Sequence, residues 1–105
     1  MRRVEIMDYR EILDIVVKAI SKGETVDIYY PATDNSPEGW REIQPYNFSV
    51  GTEIVSEILE YGKDKIVPGH ILNARTIGFG DTEPHSFIIG KIQKARLTRR
   101  KVIKK

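Results

Sequence analysis

The spacing of the apolar residues changes at Gly23, and this change limits the fold more than any other feature of the sequence. Before Gly23, in "DYREILDIVVKAISKG", apolar residues recur every three or four positions, which predicts an amphipathic helix over residues 8–22. After Gly23 apolar and polar residues mostly alternate, which is typical of half-buried strands. One early helix followed by several strands predicts an α+β protein.

Both ends of this helix carry residues that favour a helix boundary. Asp8 stands where an N-cap side chain accepts a free backbone N–H, and Glu11 follows three residues later, as in a capping box. Gly23 stands where a left-handed C-cap residue ends a helix. We therefore expect the helix to begin after Asp8 and to end before Gly23.

Two segments after Gly23 predict strands. "ETVDIYY" has Val26, Ile28 and Tyr30 on one side, and "WREIQPYNFSV" continues the alternation. Pro45 has no amide hydrogen to donate to a ladder, so it marks an edge or a bulge. The second alternation places Trp40, Glu42, Gln44, Tyr46 and Phe48 on one face and Arg41, Ile43, Pro45 and Asn47 on the other.

The second half of the chain completes the predicted sheet. "TEIVSEILEYG", residues 52–62, fits a short helix between Thr52 and Gly62, although a strand is the alternative. "GHILNARTIGFG" and "HSFIIGKIQKARLTRRKV" predict two long strands joined by the turn "DTEP". We expect four or five antiparallel strands that curl up, with the first helix closing one end.

Composition narrows the class of protein. The 105 residues suit a single domain, residues 1–105, with a basic C-terminal tail at 99–105. The absence of cysteine excludes disulfides and thiolate metal sites, and the short apolar runs predict no membrane span and no signal peptide. A cytoplasmic location is the expectation that follows. Many Lys, Arg and Glu residues beside few amides favour a thermophilic source.

The net charge of +2 conceals a strong asymmetry along the chain. Residues 24–60 carry eight acids and one base, whereas residues 91–105 carry eight bases and no acid. A uniformly basic nucleic-acid-binding protein would not show this pattern, but a protein with one cationic arm would. The basic run is either a phosphate-binding surface or a solvated strand end and tail.

Three segments carry a resemblance to a known family. "KAISKGETVDIYY" ends in Tyr30, "REIQPY" supplies Arg41, Ile43 and Pro45, and "HSFIIGKIQKARLT" forms a last strand. In these segments, over residues 12–98, the chain resembles the WYL domain, a small Sm-like β-barrel named for a Trp-Tyr-Leu triplet. The triplet itself is reduced to His70-Ile71-Leu72. The resemblance implies a barrel of four to five strands with an N-terminal helix and a short helical insert.

The resemblance also implies a ligand-binding surface. It would gather Arg41, His70, Arg75 and Lys91 on one side of the barrel. His85 and Lys91 replace two arginines of the family pattern, and Gly90 replaces an aspartate. Because neither replacement can grip an anion as a planar guanidinium does, we expect different or weaker binding. WYL domains usually follow a helix-turn-helix, whereas seven residues precede this first helix, so we expect a free-standing module.

The sequence offers no pattern typical of an enzyme. His85 and Ser86 are adjacent on a predicted strand and would point to opposite faces, so they cannot act as base and nucleophile. The two histidines lack metal-ligand spacing, and "GFGDTEP" lacks the residues of a phosphate loop. Glu53, Glu57 and Glu60 fit a solvated helix face. We expect no catalysis, no metal and no cofactor.

Two functions remain from different classes. In the first, a regulatory module binds a single-stranded nucleic acid or a nucleotide, with phosphates on Arg96, Arg99 and Arg100. Most aromatic residues should fill the core, but any left exposed beside the cations could stack on a base. In the second, the chain is a protein-interaction or homo-oligomerisation module that assembles through barrel edges. The acidic segment 24–60 would then attract the basic end of a neighbouring copy.

Overall fold

The amphipathic segment forms helix α1, Tyr9–Lys22, in a computed structural model that describes residues 7–34, 36–77 and 84–101. Gly23 ends the helix as predicted, with φ 66° and ψ 30°, and its N–H bonds to carbonyl groups of the last turn. Asp8 is the N-cap residue, but its side chain makes no capping hydrogen bond, so the predicted capping box is wrong. The Tyr9 hydroxyl instead donates to the Ile66 carbonyl at 2.9 Å and fixes the start of the helix.

The remaining described chain forms a six-stranded antiparallel sheet in which the strands follow the path β5-β4-β2-β1-β6, while β3 pairs with β2. No helix within the described ranges is long and apolar enough to cross a membrane. The strands are β1 Glu24–Tyr30, β2 Gly39–Val50, β3 Glu53–Val55, β4 Ile71–Thr76, β5 Pro84–Ile88 and β6 Lys94–Lys101, and the shorter elements are α2 Ile58–Tyr61 and 3₁₀ turns at Lys63–Lys65 and Ile89–Lys91.

Residues 52–62 do not form the single short helix that the sequence favours. Their first half is strand β3, and only Ile58–Tyr61 is helical. Glu53 therefore lies in a strand and shares no helix face with Glu57 and Glu60. The pairing of β3 with β2 outweighs the helical spacing of the apolar residues, because tertiary contacts override local helix propensity.

The segment "HSFIIGKI" is a strand only as far as Ile88, where β5 ends in a 3₁₀ turn. The amide of Ile89 bonds to the His70 carbonyl and that of Gly90 to the Pro68 carbonyl, at 3.0 and 2.8 Å. A Cβ atom on Gly90 would lie 2.5 Å from the Pro68 Cβ, so this close approach requires glycine. The aspartate of the WYL pattern would not fit here. The first three residues of the predicted turn "DTEP", 81–83, and the end of the basic tail, 102–105, lie outside the described residues. The last residue of that turn, Pro84, is the first residue of β5.

A bulge in β2 changes which residues face the core. Pro45 pairs with Ala74 and Asn47 with Asn73, so Tyr46 is an extra residue and the predicted irregularity at Pro45 is confirmed. The bulge reverses the alternation, because one extra residue moves every later side chain to the opposite face. Phe48 is consequently buried with Ile43, and the prediction that it shares a face with Trp40 is wrong.

The sheet is strongly bent, as the contacts between β1 and β5 show. Two strands separate them, so in a flat sheet they would lie about 14 Å apart. Yet the ring centroids of Tyr30 and Phe87 are 5.1 Å apart, and the Ile88 amide donates to the Tyr30 hydroxyl at 2.9 Å. Within the described residues β5 and β6 are not paired, so the sheet is open and the predicted closure into a barrel is not observed.

The bend gives the sheet an inner face, which holds the core, and an outer face, which does not. Helix α1 contacts β1, β2 and β6, and its apolar stripe joins the same core as the inner face. Side chains of α1 and of the strands supply most of this core: Ile12, Leu13, Val16, Val17, Ala19, Val26, Ile28, Tyr30, Ile43, Phe48, Val55, Leu72, Ala74, Phe87 and Ala95.

Replacing Val16 with Asp should lower the free energy of unfolding by about 3–5 kcal/mol, because Val16 is fully buried and no described cation is buried with it. Urea unfolding followed by circular dichroism measures the change. Lys18→Asp, on the exposed side of the same helix, is the control and should cost less than about 1 kcal/mol. A Val16→Asp variant that unfolds at the same urea concentration as the parent would show that α1 is not part of the core.

Candidate nucleic-acid interface on the outer face

The outer face of β1, β2 and β6 collects charged and aromatic side chains in register. Tyr29 lies opposite Trp40 on one side and Lys94 on the other. Since residues that pair across an antiparallel ladder share a face, these side chains point away from the core. We call the following set the outer patch: Asp27, Tyr29, Glu38, Trp40, Glu42, Lys94, Arg96 and Arg100.

Trp40 is the aromatic centre of the outer patch and is 44% exposed. The guanidinium carbon of Arg96 lies 4.4 Å from the centroid of its ring. The ring of Tyr29 meets it edge-on, with centroids 5.6 Å apart and planes at 81°. An aromatic ring of this size with a cation on one side and solvent on another can accept a second flat group by stacking.

Arg96 is held over Trp40 by an ion pair. Its Nε donates to Asp27 Oδ2 at 3.1 Å. The carboxylate is the more enclosed partner, with 22% of its side chain exposed against 65% for Arg96. An exposed pair of this kind contributes less than about 1 kcal/mol. The guanidinium is therefore positioned by Asp27 and remains able to bind an anion from solvent.

A second ion pair depends on a bulge in β6. Glu24 pairs with Lys101 and Val26 with Leu97, so β6 has more residues than β1 over this stretch. Arg99 has a φ of 62°, in the left-handed region that costs a residue with a Cβ about 1–2 kcal/mol. The bulge brings the Arg100 side chain to the carboxylate of Glu42, with which it forms an ion pair.

The carboxylate of Glu42 is held in position by a hydrogen bond from a buried threonine. The hydroxyl of Thr25, which is 2% exposed, donates to Glu42 Oε2 at 2.6 Å. The Thr98 hydroxyl, with its single proton, donates either to the Thr25 hydroxyl at 2.5 Å or to the Thr25 carbonyl at 3.1 Å. Because the buried Thr25 hydroxyl bonds to Glu42, the Glu42 carboxylate has a defined position on the outer face.

Glu38 lies in the loop before β2 and belongs to the outer patch through Tyr29. The Tyr29 hydroxyl donates to Glu38 Oε2 at 2.9 Å. This hydrogen bond, followed by desolvation and by the charge of Glu38, raises the pKa of Tyr29 above its ordinary value. The loop is also anchored by Arg41, whose Nη2 donates to the Pro37 carbonyl at 3.1 Å.

The structure distributes the predicted site residues over more than one surface. Arg96 and Arg100 lie on the outer face, and Arg75, which pairs with Gln44, is exposed on the same face of β4. Arg99 is exposed in the bulge. Arg75, Arg96 and Arg100 are the part of the predicted site that the fold brings to the outer face.

Arg41 and His85 instead lie on the inner face. The guanidinium of Arg41 is 5.3 Å from the centroid of the Tyr30 ring. His85 pairs with buried Ala74, is half-buried and interacts with other groups of the chain. Both therefore lie on the concave side of the bent sheet, although Arg41 also bonds to the Pro37 carbonyl in the loop that carries Glu38.

His70 and Lys91 lie at the corner where β5 ends. His70 Nδ1 accepts a hydrogen bond from the Val67 amide at 3.1 Å, and its carbonyl accepts one from Ile89. Lys91 is exposed at the end of the 3₁₀ turn. The WYL resemblance implies a single surface for Arg41, His70, Arg75 and Lys91. In the structure these residues are divided among the inner face, this corner and the outer face.

Sequence reasoning did not select the side chains at the centre of the outer patch. Trp40, Tyr29, Glu38 and Lys94 were not among the predicted site residues. The signal was present in the alternation of β2, since Glu42 and Gln44 share a face with Trp40 and polar residues favour solvent. The predicted face also included the apolar Phe48, so it did not look like a solvent-facing surface. The bulge at Tyr46, which moves Phe48 to the other face, cannot be predicted from the alternation alone.

Comparison with known proteins adds no relative that carries the outer patch. No protein-family model matches the sequence, and no curated protein matches it. In the described ranges, no three His, Asp or Glu side chains converge as a metal ion would require. The chemistry available to the outer patch is that of its own groups: an indole, a phenol, three cations and three carboxylates.

Proposed function

We propose that the chain is a non-catalytic regulatory module that binds a single-stranded nucleic acid or a nucleotide on the outer patch. The observation that carries this proposal is Trp40, 44% exposed with Arg96 over its ring at 4.4 Å. Proteins that bind single strands combine exposed aromatic rings, on which bases stack, with cations that follow the phosphates. Both elements stand side by side on β2 and β6.

Phosphates would lie along β6. Of its five cations, Arg96 and Arg100 are paired with carboxylates, whereas Lys94, Arg99 and Lys101 have no carboxylate partner among the described residues. The arginine of each pair is the more exposed member, and a guanidinium has five N–H donors. Each arginine can therefore bind a phosphate while it keeps its carboxylate partner. The three carboxylates of the outer patch balance its three cations, so net attraction to phosphates comes from the neighbouring Arg99 and Lys101. This favours modest and salt-sensitive affinity.

We also propose that the chain is related to the WYL domain, and the order and path of its strands support this. The helix precedes the strands, and the first and last strands of the sheet path, β5 and β6, are linked by only residues 89–93. The bend that brings Tyr30 to Phe87 would be completed, in a closed Sm-like barrel, by pairing of β5 with β6. The outer patch is a different surface from the one that the resemblance implies.

The alternative function is assembly through strand edges. Within the described residues, β5 pairs only with β4 and β6 only with β1, so each offers a row of unpaired backbone groups. However, the attraction between acidic and basic segments already acts within one chain, through Arg96–Asp27 and Arg100–Glu42. Edge pairing, rather than charge, is therefore the interaction that would hold such an assembly together.

Trp40→Ala should weaken binding of a short single-stranded oligonucleotide about 5- to 150-fold, because stacking of one base is worth about 1–3 kcal/mol. Fluorescence anisotropy of an end-labelled oligonucleotide at low salt measures the affinity. Ile54→Ala removes another exposed apolar side chain, which lies in β3 beside the far end of β2, and should leave the affinity unchanged.

The same assay at several salt concentrations tests the binding of phosphates. Replacing Arg99 and Arg100 with Ala should flatten the slope of log K against log salt by about 0.7 for each phosphate that the variant no longer binds. The exposed pair Lys18 and Lys22 of α1 is the matched control and should leave the slope as it is. If the parent binds no oligonucleotide at low salt, where attraction to phosphate is strongest, the proposal fails.

Light scattering at low and high salt tests the alternative. Assembly through edges predicts a mass above that of one chain, 12.1 kDa, which persists at high salt because backbone pairing is little screened. A monomer under both conditions at high protein concentration removes this alternative. An oligomer that ignores oligonucleotides would favour it over nucleic-acid binding.

A further inference from the structure

We propose that the outer patch prefers guanine and that the carboxylate of Glu38 recognises it, an inference that rests on the proposed function. Glu38 lies two residues before Trp40 and is exposed. The two side chains are connected by Tyr29, whose ring contacts Trp40 and whose hydroxyl donates to Glu38. A base stacked on the indole would therefore lie with one edge towards a carboxylate.

This carboxylate is held in place before any ligand arrives. Tyr29 fixes Glu38 Oε2 at 2.9 Å, and Arg41 fixes the preceding carbonyl, that of Pro37, at 3.1 Å. Earlier in the same loop, Thr33 and Ser36 exchange backbone hydrogen bonds of 2.8 and 3.4 Å. A group that is positioned in advance loses less conformational entropy on binding and discriminates better between ligands.

The free side of the carboxylate can only accept hydrogen bonds. Glu38 Oε1 accepts none from the residues that the structure describes, and an ionised carboxylate has about four acceptor sites, of which Tyr29 occupies one. A ligand group that matches it must present two adjacent donors, in the way a guanidinium matches a carboxylate.

Guanine is the standard base that meets this requirement. Its Watson–Crick edge carries the N1–H and the N2 amino group side by side. In adenine and cytosine the amino donor stands next to a ring nitrogen that accepts, and in uracil and thymine the N–H stands between two carbonyl oxygens. Because an acceptor facing a carboxylate is repelled, only guanine can bond to both oxygens of Glu38 at once.

The single tryptophan of the chain reports binding directly, since a base stacked on Trp40 quenches its fluorescence. Oligothymidines that carry one central guanine, hypoxanthine, adenine or cytosine are titrated into the parent protein. The guanine oligonucleotide should bind about 5- to 150-fold more tightly than the adenine and cytosine ones. Hypoxanthine, which keeps N1–H but lacks the amino group, should fall between them.

Glu38→Gln should abolish this preference, because a glutamine amide presents one acceptor and one donor and so suits adenine at least as well as guanine. Tyr29→Phe, which removes the hydroxyl that positions Glu38, should reduce the preference and retain quenching. Glu57→Gln, which neutralises an exposed carboxylate away from the patch, is the control and should change nothing.

Equal affinity for all four oligonucleotides, with binding still dependent on Trp40, would overturn guanine recognition and leave the proposed function standing. A preference that survives in Glu38→Gln would overturn the role of Glu38. The absence of quenching by any oligonucleotide at low salt would overturn both the inference and the proposed function.

Discussion

The contact between Tyr30 and the end of β5 is the interaction on which the arrangement of this protein depends. The Tyr30 ring packs edge-on against Phe87, and its hydroxyl accepts the amide hydrogen of Ile88, where β5 leaves the sheet. An aromatic pair of this kind contributes about 0.5–1.5 kcal/mol beyond the burial of its area. By joining strands that two others separate, it keeps the sheet bent and gives the apolar side chains a common interior that α1 can cover.

The bend also decides which charged residues can act together. It turns Arg41 and His85 towards the inner face and leaves Arg75, Arg96 and Arg100 on the outer one. The outer patch is thus a consequence of register: on β1, β2 and β6 every second residue faces solvent, and these positions hold the indole, the phenol and most of the charges. There, Asp27 and Glu42 of the acidic segment form ion pairs that orient Arg96 and Arg100 of the basic segment.

Local patterns predicted the elements whose structure depends on near neighbours in the chain. The helical period and Gly23 predicted α1, the alternation predicted β1, and Pro45 predicted the irregularity in β2. The features that escaped prediction depend on distant partners. Gly90 is required by Pro68, and the bulge at Arg99 is visible only when β6 is paired with β1. Because a bulge exchanges the two faces of a strand, a site that spans several strands cannot be read from alternation alone.

The most direct test of the outer patch as the binding surface is a ¹H–¹⁵N NMR titration of the protein with a single-stranded oligonucleotide. Two side-chain groups of the outer patch give signals in this spectrum: the indole N–H of Trp40, the single tryptophan of the chain, and the Nε–H of Arg96. The account predicts that these two signals shift most as the oligonucleotide is added, while the amides of His70, His85 and Lys91 shift little. Large shifts at those three amides, with the Trp40 indole unchanged, would contradict it and would place binding on the inner face and its corner.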